Sequence, residues 1–241
     1  MHKSISLVAA VLWALLFAPL SMPQTVAGVG TATPEARAAA YDAAMKSHDW
    51  VTAVAVAREA VDSSATAENL RKLADAQLYS GAAEQALAAY ERASAAAEQE
   101  KPALGQPDAD WKDRLAKIFI GKGNALLKLH RTADAIEFYN RAAEFAANPG
   151  KAYFNICAVL YNSGNTKDSP TACRKCLQAD PSMANAWFIL GSVLFADASI
   201  SGKGTVALSA EGQQALEKYL ELAPDGPHAA DAKAMLQMVA R

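Results

Sequence analysis

Phe119, Tyr153 and Trp187 follow one another at intervals of 34 positions. Gly123, Cys157 and Gly191 keep the same step, and so do Leu127, Tyr161 and Phe195. Large, small and large positions therefore recur together at one fixed period. A period of this size belongs to stacked supersecondary units, each packed on its neighbours, and not to one globular core. The side chains available agree with that. Of the 241 residues, 52% are hydrophobic but only 7% aromatic, and much of the apolar share is alanine. Alanine is the best helix former and lets helices approach closely, so an all-α chain of short, tightly packed helices is expected.

The second helix of each unit shows the pattern most clearly. Ala86, Tyr90 and Ala93 are spaced i, i+4, i+7, and Ala135, Tyr139 and Ala142 repeat that spacing. Ser169, Cys173 and Cys176 hold the equivalent positions, and Ala53, Ala57 and Ala60 form a degenerate first copy. Each trio lies on one helix face, where small side chains permit close helix contact. Thr33-Pro34-Glu35 supplies a hydroxyl cap, a first-turn proline and an acid near the positive helix end, which marks the start of the first helix.

With these positions in place, the chain resembles the tetratricopeptide repeat family, whose unit is a 34-residue helix–turn–helix. The matching residues are Leu70, Leu73, Ala74, Gly81, Ala86, Tyr90 and Ala93, then Phe119, Gly123, Ala135, Tyr139 and Ala142. They continue with Tyr153, Ile156, Cys157, Gly164 and Pro181, and end with Trp187, Leu190, Gly191, Tyr219 and Pro224. The resemblance spans residues 34 to about 224. It implies a right-handed α-solenoid of stacked helix–turn–helix repeats with a C-terminal capping helix.

On this reading the chain divides into a signal peptide at 1–27, a flexible lead at 28–33, a degenerate repeat 1 at 34–66 and repeat 2 at 67–100. An insertion and helix extension at 101–115 follows, then repeat 3 at 116–149, repeat 4 at 150–183 and repeat 5 at 184–226. Repeat 5 carries an inserted loop at about 196–211, and a capping helix occupies 227–241. Asp108 caps the extended helix, which Trp111, Leu115 and Ile118 lengthen. Ser201-Gly-Lys-Gly-Thr205 has turn or loop composition. Pro227 is expected to open the last helix, with Ala230, Ala234, Leu236 and Val239 facing inward.

Met1-His2-Lys3, the apolar run Ile5–Leu20 and the small residues Thr25-Val26-Ala27 read in order as an export signal. The run is too short and interrupted for a comfortable membrane span. Cleavage after Ala27 and retention as an anchor both stay open. The expected location is outside the cytoplasm, periplasmic or secreted, with no membrane span in the mature chain. A formal charge of −2 offers no basic surface for nucleic acid.

No constellation for catalysis, cofactor or metal emerges. His48 and His130 fall in turns, His228 starts the last helix, and none has a second histidine or a cysteine at i+3 or i+4. No metalloprotease or phosphate-loop motif is present. Cys173-Arg174-Lys175-Cys176 has redox spacing near a helix start, where a thiol pKa falls, so a thiol–disulfide protein or sensor is the alternative function. Against it, both cysteines hold core positions. Cys157 sits in the small position of the facing helix, which leaves a structural disulfide or free core thiols as the readings; in an exported protein a Cys157–Cys173 disulfide is favoured, with Cys157–Cys176 second.

The resemblance also implies a binding surface. First-helix residues not needed for the hairpin core line the concave side in this family. Here these are Lys117, Ile120, Asn124 and Leu127, then Lys151, Phe154, Asn155 and Tyr161, then Asn185, Phe188, Ser192 and Phe195. Aromatic rings would anchor a protein or peptide, and asparagines would bond its backbone. Ile120, Asn185 and Ile189 stand where chaperone-tail-binding members have cations, so that carboxylate clamp is missing. The expected function is a non-enzymatic protein- or peptide-binding scaffold, with self-association as a further possibility.

Overall fold

The computed structural model describes residues 32–101, 108–200 and 206–239. The expected signal peptide, residues 28–31 of the expected flexible lead, residues 102–107 of the expected insertion and the run Ser201–Thr205 lie outside the described residues. Helices follow as antiparallel pairs: α1 (Pro34–Lys46) with α2 (Trp50–Ser63), and α3 (Ala67–Tyr79) with α4 (Ala83–Gln99). Next come α5 (Ala109–Lys128) with α6 (Thr132–Phe145), α7 (Gly150–Asn162) with α8 (Ser169–Ala179), and α9 (Ala184–Ala196) with α10 (Ala210–Leu222). A single helix, α11 (Ala229–Gln237), ends the stack against α10 and α9. The first helix of each pair is called helix A and the second helix B. No helix among the described residues is long and apolar enough to cross a membrane.

Local chemistry sets these boundaries. Thr33, Asp49, Thr66, Asp108 and Ser209 each accept a hydrogen bond from a first-turn N–H of the helix they precede. The A-to-B turns of the first four pairs need a left-handed residue. Gly81 and Gly164 supply it at φ 90° and 75°, while His48 and His130 adopt φ 59° and 58° at the equivalent turns. The two histidines are exposed there.

The recurring large and small positions pack helix A on helix B. Tyr90, Tyr139 and Tyr219 of the B helices are fully buried. A Cβ added at Gly123 would lie 2.5 Å from the Tyr139 ring, so only glycine fits opposite it. Gly191 is held in the same way, 2.7 Å from the Leu216 side chain. Repeat 4 solves the problem differently. Cys157 and Cys173, spaced as Gly123 and Tyr139 are, form a disulfide with Cα atoms 4.9 Å apart. Cys176 is left as a buried free thiol.

The insertion before repeat 3 lengthens the hairpin core. Trp111 in the first turn of α5 is buried and donates its indole N–H to the Ala97 carbonyl at 2.6 Å. Its ring meets Phe145 edge-on at 5.9 Å.

Two expectations need correcting. The repeat 5 insertion is more than a loop. Ser199–Ile200 (β1) pairs antiparallel with Val206–Ala207 (β2), and the buried Val206 donates its N–H to Met238 O at 2.8 Å. The Gly- and Ser-rich composition of residues 201–205 hid the β-branched Ile200 and Val206 that flank them. The last helix begins at Ala229, not Pro227, and turns Ala229 and Ala232 inward while Ala230 and Ala234 are exposed. Its register is set from behind, because the Tyr219 hydroxyl accepts the His228 N–H at 2.9 Å. Counting from the B-helix tyrosine, Lys233 and Gln237 fall at the positions of Trp187 and Gly191, which pack on a helix B. No helix B follows α11 among the described residues, so these two positions are exposed and polar, as a solenoid end requires.

Candidate functional site: the groove along the A helices

Once the A–B contacts are assigned, the remaining A-helix side chains line two clefts. The first, of about 400 Å³, lies along α3, α5 and the start of α7. Lys117, Ile120, Asn124 and Lys151 from the expected set line it, together with Arg71, Asp75 and Tyr79, which sequence reasoning missed. The Tyr139 hydroxyl donates to Asn124 Oδ1 at 2.7 Å. That contact fixes the amide, leaving its NH2 as the group available to a ligand. One repeat earlier the same pair of positions is held by Tyr90 and Asp75, whose hydroxyl and carboxylate are also hydrogen-bonded. Arg71 grips Glu68 through two bonds of 2.9 and 2.6 Å and also bonds Asp75. Burial pushes the Asp75 carboxyl above the usual range, against the opposing pull of Arg71 and Tyr90. The Tyr90 and Tyr139 hydroxyls are likewise pushed up by burial, so they stay protonated donors. Glu68, Arg71 and Asp75 at i, i+3 and i+7 were a readable sign of a charged stripe on one face of α3.

The second cleft, of about 630 Å³, is bounded by α7, α9 and α11. Phe154, Tyr161 and Asn185 line it, with Ile189, Met235 and Met238. Phe154 and Tyr161 are half-buried rings resting on the core of repeats 4 and 5. Phe188 also borders the cleft, yet it is not a free anchor: it is 6% exposed and stacks on His228. His228, at the start of the last helix, is therefore part of the closing contact. The role of the methionines was not legible beforehand, because it depends on where α11 docks.

Four other expected groove residues sit differently. Ser192 is buried, at the position equivalent to Asn124, and its hydroxyl has no hydrogen-bond partner among the described residues. The Tyr219 hydroxyl in that repeat is engaged by His228 instead. Leu127 packs into the core of repeats 3 to 5. Asn155 and Phe195 are half-buried and line neither cleft.

The redox arrangement expected as an alternative does not form. Cys173 is bonded across the hairpin to Cys157, not to Cys176. Burial, with Asp180 adding to it, pushes the Cys176 thiol up to about 12, the opposite of what a reactive thiol needs. Among the described residues no three His, Cys, Asp or Glu side chains gather as a metal site.

This architecture is that of tetratricopeptide repeat proteins. Neither a family model nor a curated protein sequence matches the chain. Among solved structures, the fold is similar to YrrB, described as a tetratricopeptide repeat protein with an unusual peptide-binding site. That match has 19% identity and a TM-score of 0.53 over 80% of this chain and 88% of YrrB. The fold is also similar to MamA, at 18% identity and a TM-score of 0.56, covering 76% of this chain and 94% of MamA. A tetratricopeptide repeat protein from Parabacteroides merdae matches at 15% identity and a TM-score of 0.56, over 85% of this chain and 73% of its own.

Proposed function

We propose that this chain is a non-enzymatic scaffold that holds a protein or peptide in the groove along its A helices. The observation that carries the reading is the cleft between α7, α9 and α11. It combines half-buried aromatic rings, Phe154 and Tyr161, with the flexible side chains of Met235 and Met238. Rings supply anchor area at low entropy cost, and methionine adapts to the shape of what it meets. The peptide-binding site named for YrrB supports the same use of this fold. We place the protein outside the cytoplasm, periplasmic or secreted. The charged, apolar and small-residue order of its first 27 residues supports that, as does the Cys157–Cys173 disulfide.

The test is capture from cell-envelope extract by wild type and by a Phe154→Ala, Tyr161→Ala double variant. Loss of a true anchor should cost on the order of 2 kcal/mol in binding, so the captured partner should disappear. Equal capture by a variant shown to be folded would overturn the reading. N-terminal sequencing of the exported protein tests the location: a chain starting at Gly28 is expected, and a retained Met1 in the cytoplasm would refute it.

A further inference from the structure

Aligned by their B-helix partners, successive A helices place equivalent residues side by side along the groove. Lys117, Lys151 and Asn185 are 34 residues apart in turn. Counted from the preceding slot residue, Lys151 follows Tyr139, Asn185 follows Cys173 and Asp231 follows Tyr219 by the same 12 positions, although α11 itself starts one residue earlier in that count, at Ala229. Asp231 in α11 therefore continues the row. The row reads cation, cation, neutral, anion. The same alignment puts Phe154, Phe188 and Ala234 in a second row and Ile189 beside Met235 in a third. All of these but Lys117 and Lys151 line the apolar cleft, and Lys151 stands one helical turn before Phe154 on the same face.

The charges at the two ends are available. Lys151 is exposed and makes no ion pair among the described residues. Lys117 is bound to Asp113 at 2.6 Å but remains 59% exposed. The Asp231 side chain is 64% exposed, with His228 Nδ1 at 3.9 Å as its neighbour. Among the described residues lining the α7–α9–α11 cleft, Asp231 is the only Asp, Glu, Lys or Arg.

We infer that the groove takes a polar-ended segment of its partner: an apolar side chain seated between Phe154, Ile189 and Met235, a basic residue over Asp231 and an acidic residue toward Lys151. This rests on the peptide-binding reading above and adds to it the charge order and direction of the bound chain. The geometry also limits the length. Packed helices stand roughly 8–10 Å apart, so α7 and α11, with α9 between them, set the two charges at roughly 16–20 Å. An extended chain covers that in about five or six residues. Opposite charges at the two ends fix the direction, because the reversed segment would bring like charges together.

A displayed library of random twelve-residue peptides, selected on the full chain, tests this. Wild type should enrich peptides in which an acid and a base flank an apolar residue, in one constant order. A Lys151→Asp, Asp231→Lys variant should weaken a selected peptide about tenfold or more and recover affinity for the same peptide with its two charges exchanged. Both positions are exposed, so the thermal midpoint of the variant should match wild type. Selected peptides with no charge order, or an unchanged preference in the swapped variant, would overturn the inference. If those peptides are still lost on Phe154→Ala, Tyr161→Ala, the groove reading stands without it. Peptides indifferent to that double variant, or no enrichment by wild type, would remove the groove reading as well.

Discussion

His228 lies face to face with Phe188, with ring centroids 4.1 Å apart and planes 7° from parallel. The same Phe188 ring meets Tyr219 at 5.3 Å, and the Tyr219 hydroxyl accepts the His228 N–H. These contacts dock α11 and so create one wall of the apolar cleft. We expect Phe188→Ala to cost about 3 kcal/mol or more in urea unfolding, since it empties a buried site. Phe154→Ala should cost clearly less, because its half-buried ring faces the cleft. Equal losses would show that the two rings play the same role.

The Cys157–Cys173 bond closes a segment with a sequence separation of 16. Cross-linking a loop of that size removes enough unfolded-state entropy to stabilise by about 3 kcal/mol. Reduction, or a Cys157→Ala, Cys173→Ala variant, should lower the unfolding free energy by about that amount. Mass mapping under non-reducing conditions should find Cys157 linked to Cys173 and Cys176 free.

Cys176 gives a pH signature. Its thiol is raised in the folded chain to about 12, whereas an unfolded thiol ionises near 8.5. The folded state therefore keeps its proton longer. The stabilisation is full below the unfolded value and is lost as pH climbs through the folded one. Between about pH 8.5 and pH 10, before unfolded tyrosines ionise, wild type should lose stability more steeply than Cys176→Ala. At pH 8 the native protein should not react with a thiol reagent, and the denatured protein should show one reactive thiol.

Two glycines separate backbone from packing effects. Gly81 has φ 90° and open space where a Cβ would stand, so Gly81→Ala should cost about 1 kcal/mol through backbone strain alone. Gly123 lies against the Tyr139 ring, so Gly123→Ala forces the ring to move and should cost about 1–3 kcal/mol. A Gly123→Ala, Tyr139→Leu double variant should recover part of that loss if the contact is the cause. Chemical denaturation of the four proteins checks both statements.

Much of the lining of the two clefts was legible because its residues follow the repeat. Lys117, Ile120, Asn124, Lys151, Phe154, Tyr161 and Asn185 all line one cleft or the other. The misjudged positions cluster where the repeat is interrupted. Phe188 was expected among the groove residues and His228 only at the start of the last helix, because where that helix rests depends on one hydrogen bond from the turn after Tyr219. Arg71 and Asp75 were overlooked because only packing shows that Tyr90 reaches across to Asp75.

The sequence by itself determined the order of the described helices, the caps at Thr33 and Asp108, and the large-against-small pairing that recurs every 34 residues. Those features follow from local backbone preference and from side-chain volume at a fixed period, and both are written in the order of residues. Tertiary structure alone decided which polar side chains each buried tyrosine engages, how the inserted hairpin meets Met238, and where α11 comes to rest. These outcomes depend on distances between segments that the repeat does not fix. A hydrogen bond or a stacked ring is gained only when two surfaces arrive within a few ångströms of each other.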